Sequence, residues 1–184
     1  QRIGPDQLAQ YLYPIFDAQE ESRCTPLGKG LPAGPGAAAG KLALTADRAV
    51  EMKAAGNRVV LVRQETSPDD IHGMNAALGF LTARGGMTSH AAVVARQMGK
   101  VCVAGCEAIE VLDSQSVRIG TQVFREGEYL SVNGSTGNVY GGDIPVVESE
   151  VIQVLQGKME ASASEKYQLF ESVLKWADGV RKLK

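Results

Sequence analysis

The 184 residues are 44% apolar and 22% charged, with a formal charge of −2, a balance that can bury the core of one compact, soluble domain with extensions. The charges are interspersed and form no basic block of the kind that tracks a phosphodiester backbone, which argues against nucleic acid as a partner. No apolar run is long enough to cross a bilayer, nothing resembles a secretory signal, and Cys24, Cys102 and Cys106 have no disulfide-framework spacing, so a reducing, intracellular setting is expected.

Residues 1–27 read as a polar N-terminal linker in which Tyr11, Leu12, Tyr13, Ile15 and Phe16 form one apolar docking patch. Residues 28–148 read as the principal domain. The run from Gly28 to Gly40 is too rich in glycine and proline for a regular element and is expected as a shaped loop entering a strand at Lys41–Leu44. A helix over 46–55 ends at Gly56, and Val59–Val62 is the short, continuous apolar run of a buried strand. Ser67, Pro68, Asp69 and Asp70 supply an N-cap, a proline at the first helical position and acids in the first turn of a helix reaching about Leu78.

Gly79–Thr82 follows as a strand, 89–98 as a helix and Val101–Val103 as another strand, giving an alternating α/β core. Beyond 115 the pattern changes to short strands at 117–119, 122–124, 129–132 and 138–140, expected as a β-meander packed on that core. Residues 149–184 read as a helical linker, broken near Gly157, with Tyr167, Phe170, Leu174, Ala177 and Val180 recurring as an apolar stripe. The chain opens on Gln1 and stops on a charged helical pattern, and is expected to be a segment of a longer polypeptide.

The stretch from Thr82 to Arg96 carries the chemistry. It places His90 just inside a helix, after a strand and a two-glycine turn. A helix start presents unpaired N–H groups and partial positive charge, so an anion beside His90 is stabilised without a dedicated cation. An unmodified imidazole titrates at about 6.5 and is largely neutral at pH 7, hence a competent nucleophile. Gly85 and Gly86 let backbone approach a phosphate closely, Thr88 and Ser89 offer hydroxyls as caps or donors, and Ala91, Ala92 and Ala95 keep the helix slim for a large partner. These features describe a phosphoryl acceptor.

The same stretch, Gly85-Gly86-Met87-Thr88-Ser89-His90-Ala91-Ala92-Val93-Val94-Ala95-Arg96, resembles the phosphohistidine signature of enzymes that make or consume phosphoenolpyruvate. With Glu65–Ile71, the Gly30–Gly36 loop and Val132–Gly137, it is most similar to the pyruvate, phosphate dikinase family. Phosphoenolpyruvate synthases usually have Arg-Thr-Cys-His, and sugar-transport Enzyme I Arg-Thr-Ser-His, where this chain has Met87-Thr88-Ser89-His90.

The resemblance implies a swivelling β/β/α domain that carries phosphoryl on His90 between an ATP-grasp nucleotide domain and a pyruvate/phosphoenolpyruvate TIM barrel of the same polypeptide. It also implies a homodimeric complete enzyme that uses Mg2+, a cytoplasmic or organellar location (chloroplast or glycosome) and no cofactor or metal on this segment itself. The threonine matching Thr88 is a regulatory phosphorylation site in plant members, and the family's Gly-Cys pair brings Cys106 near the site. Readings left beside this one are a phosphoenolpyruvate synthase carrier and a noncatalytic docking module.

Plainer roles attach to the remaining candidates. His72 reads as a solvated or packed helix residue, and Arg84 and Arg96 are as readily surface ion-pair partners as phosphate ligands. Cys102 and Cys106 read as buried thiols. The Gly34-Pro35-Gly36 run precedes a strand and lacks the lysine of a phosphate-binding loop, so it reads as a structural turn.

Overall fold

A computed structural model describes residues 11–180. The chain divides into two compact units, one spanning Ile15–Val147 and the other containing the residues from Glu148 onward together with the segment up to Pro14. Tyr11–Tyr13 of the apolar N-terminal patch therefore belong to one unit and Ile15 and Phe16 to the other.

The larger unit opens with β1 (Ile15–Phe16), α1 (Ala18–Arg23), β2 (Gly28–Lys29), β3 (Leu31–Gly34) and β4 (Ala37–Ala43). It continues with α2 (Ala46–Ala54), β5 (Val59–Arg63), a 3-10 turn (Pro68–Asp70) leading into α3 (Ile71–Ala76), β6 (Gly79–Thr82), α4 (His90–Met98) and β7 (Val101–Ala104). The remaining strands are β8 (Ile109–Val111), β9 (Ser116–Ile119), β10 (Gln122–Arg125), β11 (Tyr129–Asn133), β12 (Asn138–Gly141) and β13 (Val146–Val147).

An eight-stranded sheet in the order β2-β12-β11-β4-β5-β6-β7-β3 is the middle of three layers. Its strands β4 to β7 run parallel, joined through the helices, and alternation along them assigns the two faces. Val59, Leu61, Phe80, Cys102 and Ala104 pack with Ala49 and Met52 of α2, Met74 of α3 and Ala91, Ala92, Val94 and Ala95 of α4. Val60, Val62, Leu81, Val101 and Val103 pack on the other face with Ile109, Val117, Ile119 and Phe124. The architecture is β/β/α.

Two expectations are corrected. Residues 28–40 form β2, β3 and the start of β4 instead of a loop, because both faces of β4 are covered: Ala37 and Ala39 lie under Phe16, Tyr140 and Ile144, while Ala38 and Leu42 belong to the opposite cluster. Small residues there answer to burial on two sides. The expected meander is also split. β9 and β10 pair with β8 as a separate three-stranded sheet, whereas β11 and β12 join the large one, with β11 antiparallel to β4.

Segment 15–27 contributes to the larger unit through specific contacts. Phe16 packs edge-on against Tyr140 with ring centroids 6.1 Å apart. Glu21 Oε1 accepts hydrogen bonds from Asn133 Nδ2 at 2.8 Å and from the Tyr140 hydroxyl at 2.9 Å.

In the second unit, α5 (Glu150–Leu155) is followed by a turn at Gly157 and then α6 (Glu165–Val180). Glu150 ties them together, accepting from Ser164 Oγ and Lys166 Nζ. Tyr167 and Phe170 of the apolar stripe are half-buried, Leu174 and Ala177 are exposed, and the Val180 side chain lies outside the described residues. No described helix is long and apolar enough to cross a membrane.

Candidate functional site

Open α/β sheets bring their loops together at the carboxyl ends of the parallel strands, and three such loops meet here. Past the ends of β5 and β6, Ala83 N donates to Arg63 O at 3.1 Å and Arg84 N to Gln64 O at 2.8 Å. Past β7, Cys106 N donates to Thr82 O at 2.9 Å. The loop after β5 carries Thr66, the loop after β6 carries Gly85 to Ser89, and the loop after β7 carries Gly105.

His90 is the first residue of α4. Ser89 is its N-cap, with extended backbone and a side-chain oxygen that accepts from Ala92 N at 3.4 Å. Gly85 takes φ +114°, the turn that swings the chain from β6 into the cap. The helix buries Ala91, Ala92, Val94 and Ala95 and ends on left-handed Gly99, which fixes its rotation and leaves His90 half-buried at the rim of the sheet. The N–H groups of His90 and Ala91 have no acceptor among the described residues. They point the positive end of the helix at whatever binds there.

The imidazole has one side-chain partner. Thr66 Oγ1 lies 3.1 Å from His90 Nδ1, while Nε2 has no hydrogen-bond partner among the described residues. A nucleophilic Nε2 requires the proton on Nδ1, and the threonine oxygen sits where it can accept that proton. Thr66 is the functional contact that sequence reasoning missed. Its neighbour Ser67 was legible as a helix start, but no linear signal links position 66 to position 90.

The other expected site residues separate into groups. Gly85, Gly86 and Ser89 form the approach and cap of the His90 helix, whereas Thr88 is exposed and its side chain makes no hydrogen bond among the described residues. Arg96 reaches back to donate to Met87 O at 2.7 Å and so braces the same loop. Arg84 lines an adjacent open cleft of about 610 Å³ with Leu31, Gln64, Gly85, Gly105 and Glu107. His72 pairs with Asp47 at 2.8 Å on the exposed helical layer.

Cys106 does not present its thiol to His90. It is buried in the core cluster between the two sheets, and burial pushes its thiol up from the ordinary range. Gly105, the residue before it, makes the contact with the site turn. Cys102 is also buried, its thiol pushed up to about 12. Among the described residues no group of His, Cys, Asp and Glu is assembled for a metal.

Residues 55–137 match the family model described as PEP-utilising enzyme, mobile domain. Over those residues the chain is similar to that mobile domain. The matched span contains Thr66, the Gly85–His90 turn and Gly105, and so holds every contact of the site. The relatives of the mobile domain include "Pyruvate, phosphate dikinase" of Clostridium symbiosum, 47% identical over 100% of this chain and 19% of its own length. They also include "Pyruvate, phosphate dikinase, chloroplastic" of Mesembryanthemum crystallinum, 45% identical over 99% of this chain and 18% of its own length. "Pyruvate, phosphate dikinase 2" of Oryza sativa subsp. japonica is 47% identical over 99% and 19%. The chain thus spans about a fifth of the length of these relatives.

Proposed function

We propose that this chain is the phosphoryl-carrying part of a pyruvate, phosphate dikinase, with Nε2 of His90 as the atom that carries the group. The observation that supports this most directly is the Thr66–His90 contact at a helix start, which engages Nδ1 and leaves Nε2 open. In the complete enzyme the phosphoryl donor is ATP, bound by an ATP-grasp domain, and the acceptor is pyruvate, bound by a TIM barrel. The mobile domain swivels between them. The enzyme is a homodimer in a reducing compartment, cytoplasmic or organellar.

In the first transfer the Nε2 lone pair attacks phosphorus, the P–N bond forms, and the bond from phosphorus to the departing oxygen breaks with its electron pair leaving on that oxygen. Nδ1 keeps its proton, held on Thr66 Oγ1. The ring is then a phosphoimidazolium, which makes it a good leaving group for the second transfer. There an oxygen of the acceptor attacks phosphorus and the P–N electron pair returns to Nε2. The N–H groups of His90 and Ala91 meet the phosphoryl oxygens, Gly85 and Gly86 allow their approach, and Ser89 keeps the helix start in shape. Mg2+ would neutralise nucleotide phosphates on other domains, and no step on this chain runs through it.

Thr88, exposed two residues before His90, is a candidate regulatory phosphorylation site. A dianion there repels an incoming phosphoryl group and competes for the same helix start.

The test is to incubate the full-length protein with ATP, inorganic phosphate and Mg2+ and to map acid-labile phosphate by mass spectrometry. Label on His90 that vanishes in His90→Asn is expected. Its absence overturns the carrier reading and leaves a docking module. Turnover that requires inorganic phosphate distinguishes a dikinase from a phosphoenolpyruvate synthase.

A further inference from the structure

We infer that Asp70 is a positioning residue for phosphoryl transfer: its buried carboxylate holds the turn that places Thr66 Oγ1 on Nδ1 of His90. The inference rests on the carrier reading above and adds to it a residue that does not touch the imidazole.

Asp70 is only 5% exposed, and a carboxylate is costly to bury unless its oxygens are matched. Both are matched. Oδ2 accepts from Ser67 N at 2.9 Å and from Ser67 Oγ at 3.4 Å, while Oδ1 lies 3.3 Å from Arg63 Nε. Arg63 in turn donates from Nη1 to Leu44 O at 3.1 Å. An ordinary cap of a three-residue turn needs the first of these contacts and can make it in solvent. The partly buried ion pair ties that cap to the last residue of β5, whose guanidinium also reaches the chain leaving β4.

Thr66 therefore lies in a short span with both ends anchored. On one side Gln64 O is fixed by Arg84 N, so the loop start is locked to the loop that leads to His90. On the other side Ser67 N is fixed by Asp70. Among the described residues the Thr66 side chain makes no hydrogen bond other than the one to His90, so its place opposite the ring is set by these anchors. Without the Asp70 carboxylate, Ser67 N loses its acceptor and the Arg63 guanidinium its counter-charge together. The Thr66 oxygen then loses its register with Nδ1, and with it the preference for the tautomer that exposes the Nε2 lone pair.

The experiment follows the initial rate of His90 labelling from 32P-phosphoenolpyruvate in the full-length protein. Asp70→Ala is made in the wild-type and Thr66→Val backgrounds, with circular dichroism as a check on folding. Because Asp70 acts through Thr66, its loss should slow labelling about tenfold in the wild-type background and less than about twofold once Thr66 is valine. A purely structural residue would slow both equally. Equal factors in the two backgrounds, or an effect below about twofold in the wild type, overturn the inference. If Asp70→Ala does not fold, Asp70→Asn carries the same comparison. It keeps an acceptor for Ser67 N but removes the ion pair, and about a threefold slowing confined to the wild-type background is expected. Wild-type protein that takes no label on His90 overturns the carrier reading, and the inference with it. Normal wild-type labelling with independent mutational effects overturns the inference alone.

Discussion

A β-carbon built on Gly105 would lie 2.4 Å from the carbonyl oxygen of Gly85, so the loop after β7 is seated directly against the turn that delivers His90. Gly105 also takes φ +63°. A side chain there meets backbone, which cannot rotate away, and adds left-handed strain. Gly105→Ala should cost about 2 kcal/mol in urea denaturation and slow His90 labelling in the full-length protein. Gly86→Ala is the contrasting case, because nothing lies within 4 Å of its would-be β-carbon. It should stay within about 0.5 kcal/mol of the parent.

Lys100 supports the same sheet from the opposite end of the strands. Its ammonium donates to the carbonyls of Met74, Asn75 and Ala77, closing the end of α3 where the chain turns into β6. Burial lowers its pKa, a sign that these bonds are made with part of the hydration shell removed. Lys100→Met keeps the stem but orphans the carbonyls, and a loss of about 2 kcal/mol in urea denaturation is expected. An unchanged midpoint would show that water replaces the lysine at no cost.

Thr88→Asp tests the electrostatic effect of charge at the regulatory candidate. Labelling of His90 in the full-length protein should fall about tenfold, while Thr88→Val, which adds no charge, should label at close to the parental rate. Raising the ionic strength should recover part of the loss, since Thr88 is exposed and its field is screened. Normal labelling of Thr88→Asp would sink the electrostatic reading.

The three thiols differ in access. Cys102 and Cys106 are buried with their pKa values raised by that burial, whereas Cys24 is partly exposed. Iodoacetamide at pH 8 should modify Cys24 in the native protein and spare the other two until denaturant is added. Peptide mapping of the alkylated protein reads this directly, and native-state modification of Cys106 would mean that its thiol reaches the surface beside Gly105.

Much of the helical layer was legible because its signals are local. Ser67-Pro68 marks a turn, Ser89 caps the helix of His90, and Gly99 ends it. The strands Val59–Arg63 and Gly79–Thr82 were legible because they are buried on both faces and read as continuous apolar runs. The segment 28–40 defeated the same reasoning. Its alanines and glycines look like loop composition, and only the presence of Phe16 and Tyr140 over one face makes small residues the right ones for a central strand.

His90, Gly85 and Ser89 are within six residues of one another, so the sequence by itself determined that a histidine stands at a glycine-approached helix start, and with it the candidate chemistry. Which nitrogen is open, and what orients the ring, only the tertiary structure decided. Thr66 and His90 are 24 positions apart and meet because β5 and β6 are parallel neighbours whose loops leave the same edge of the sheet. Asp70 and Gly105 act on those loops by contacts across strands. Such contacts depend on the order of strands in the sheet, which local propensity and spacing do not encode.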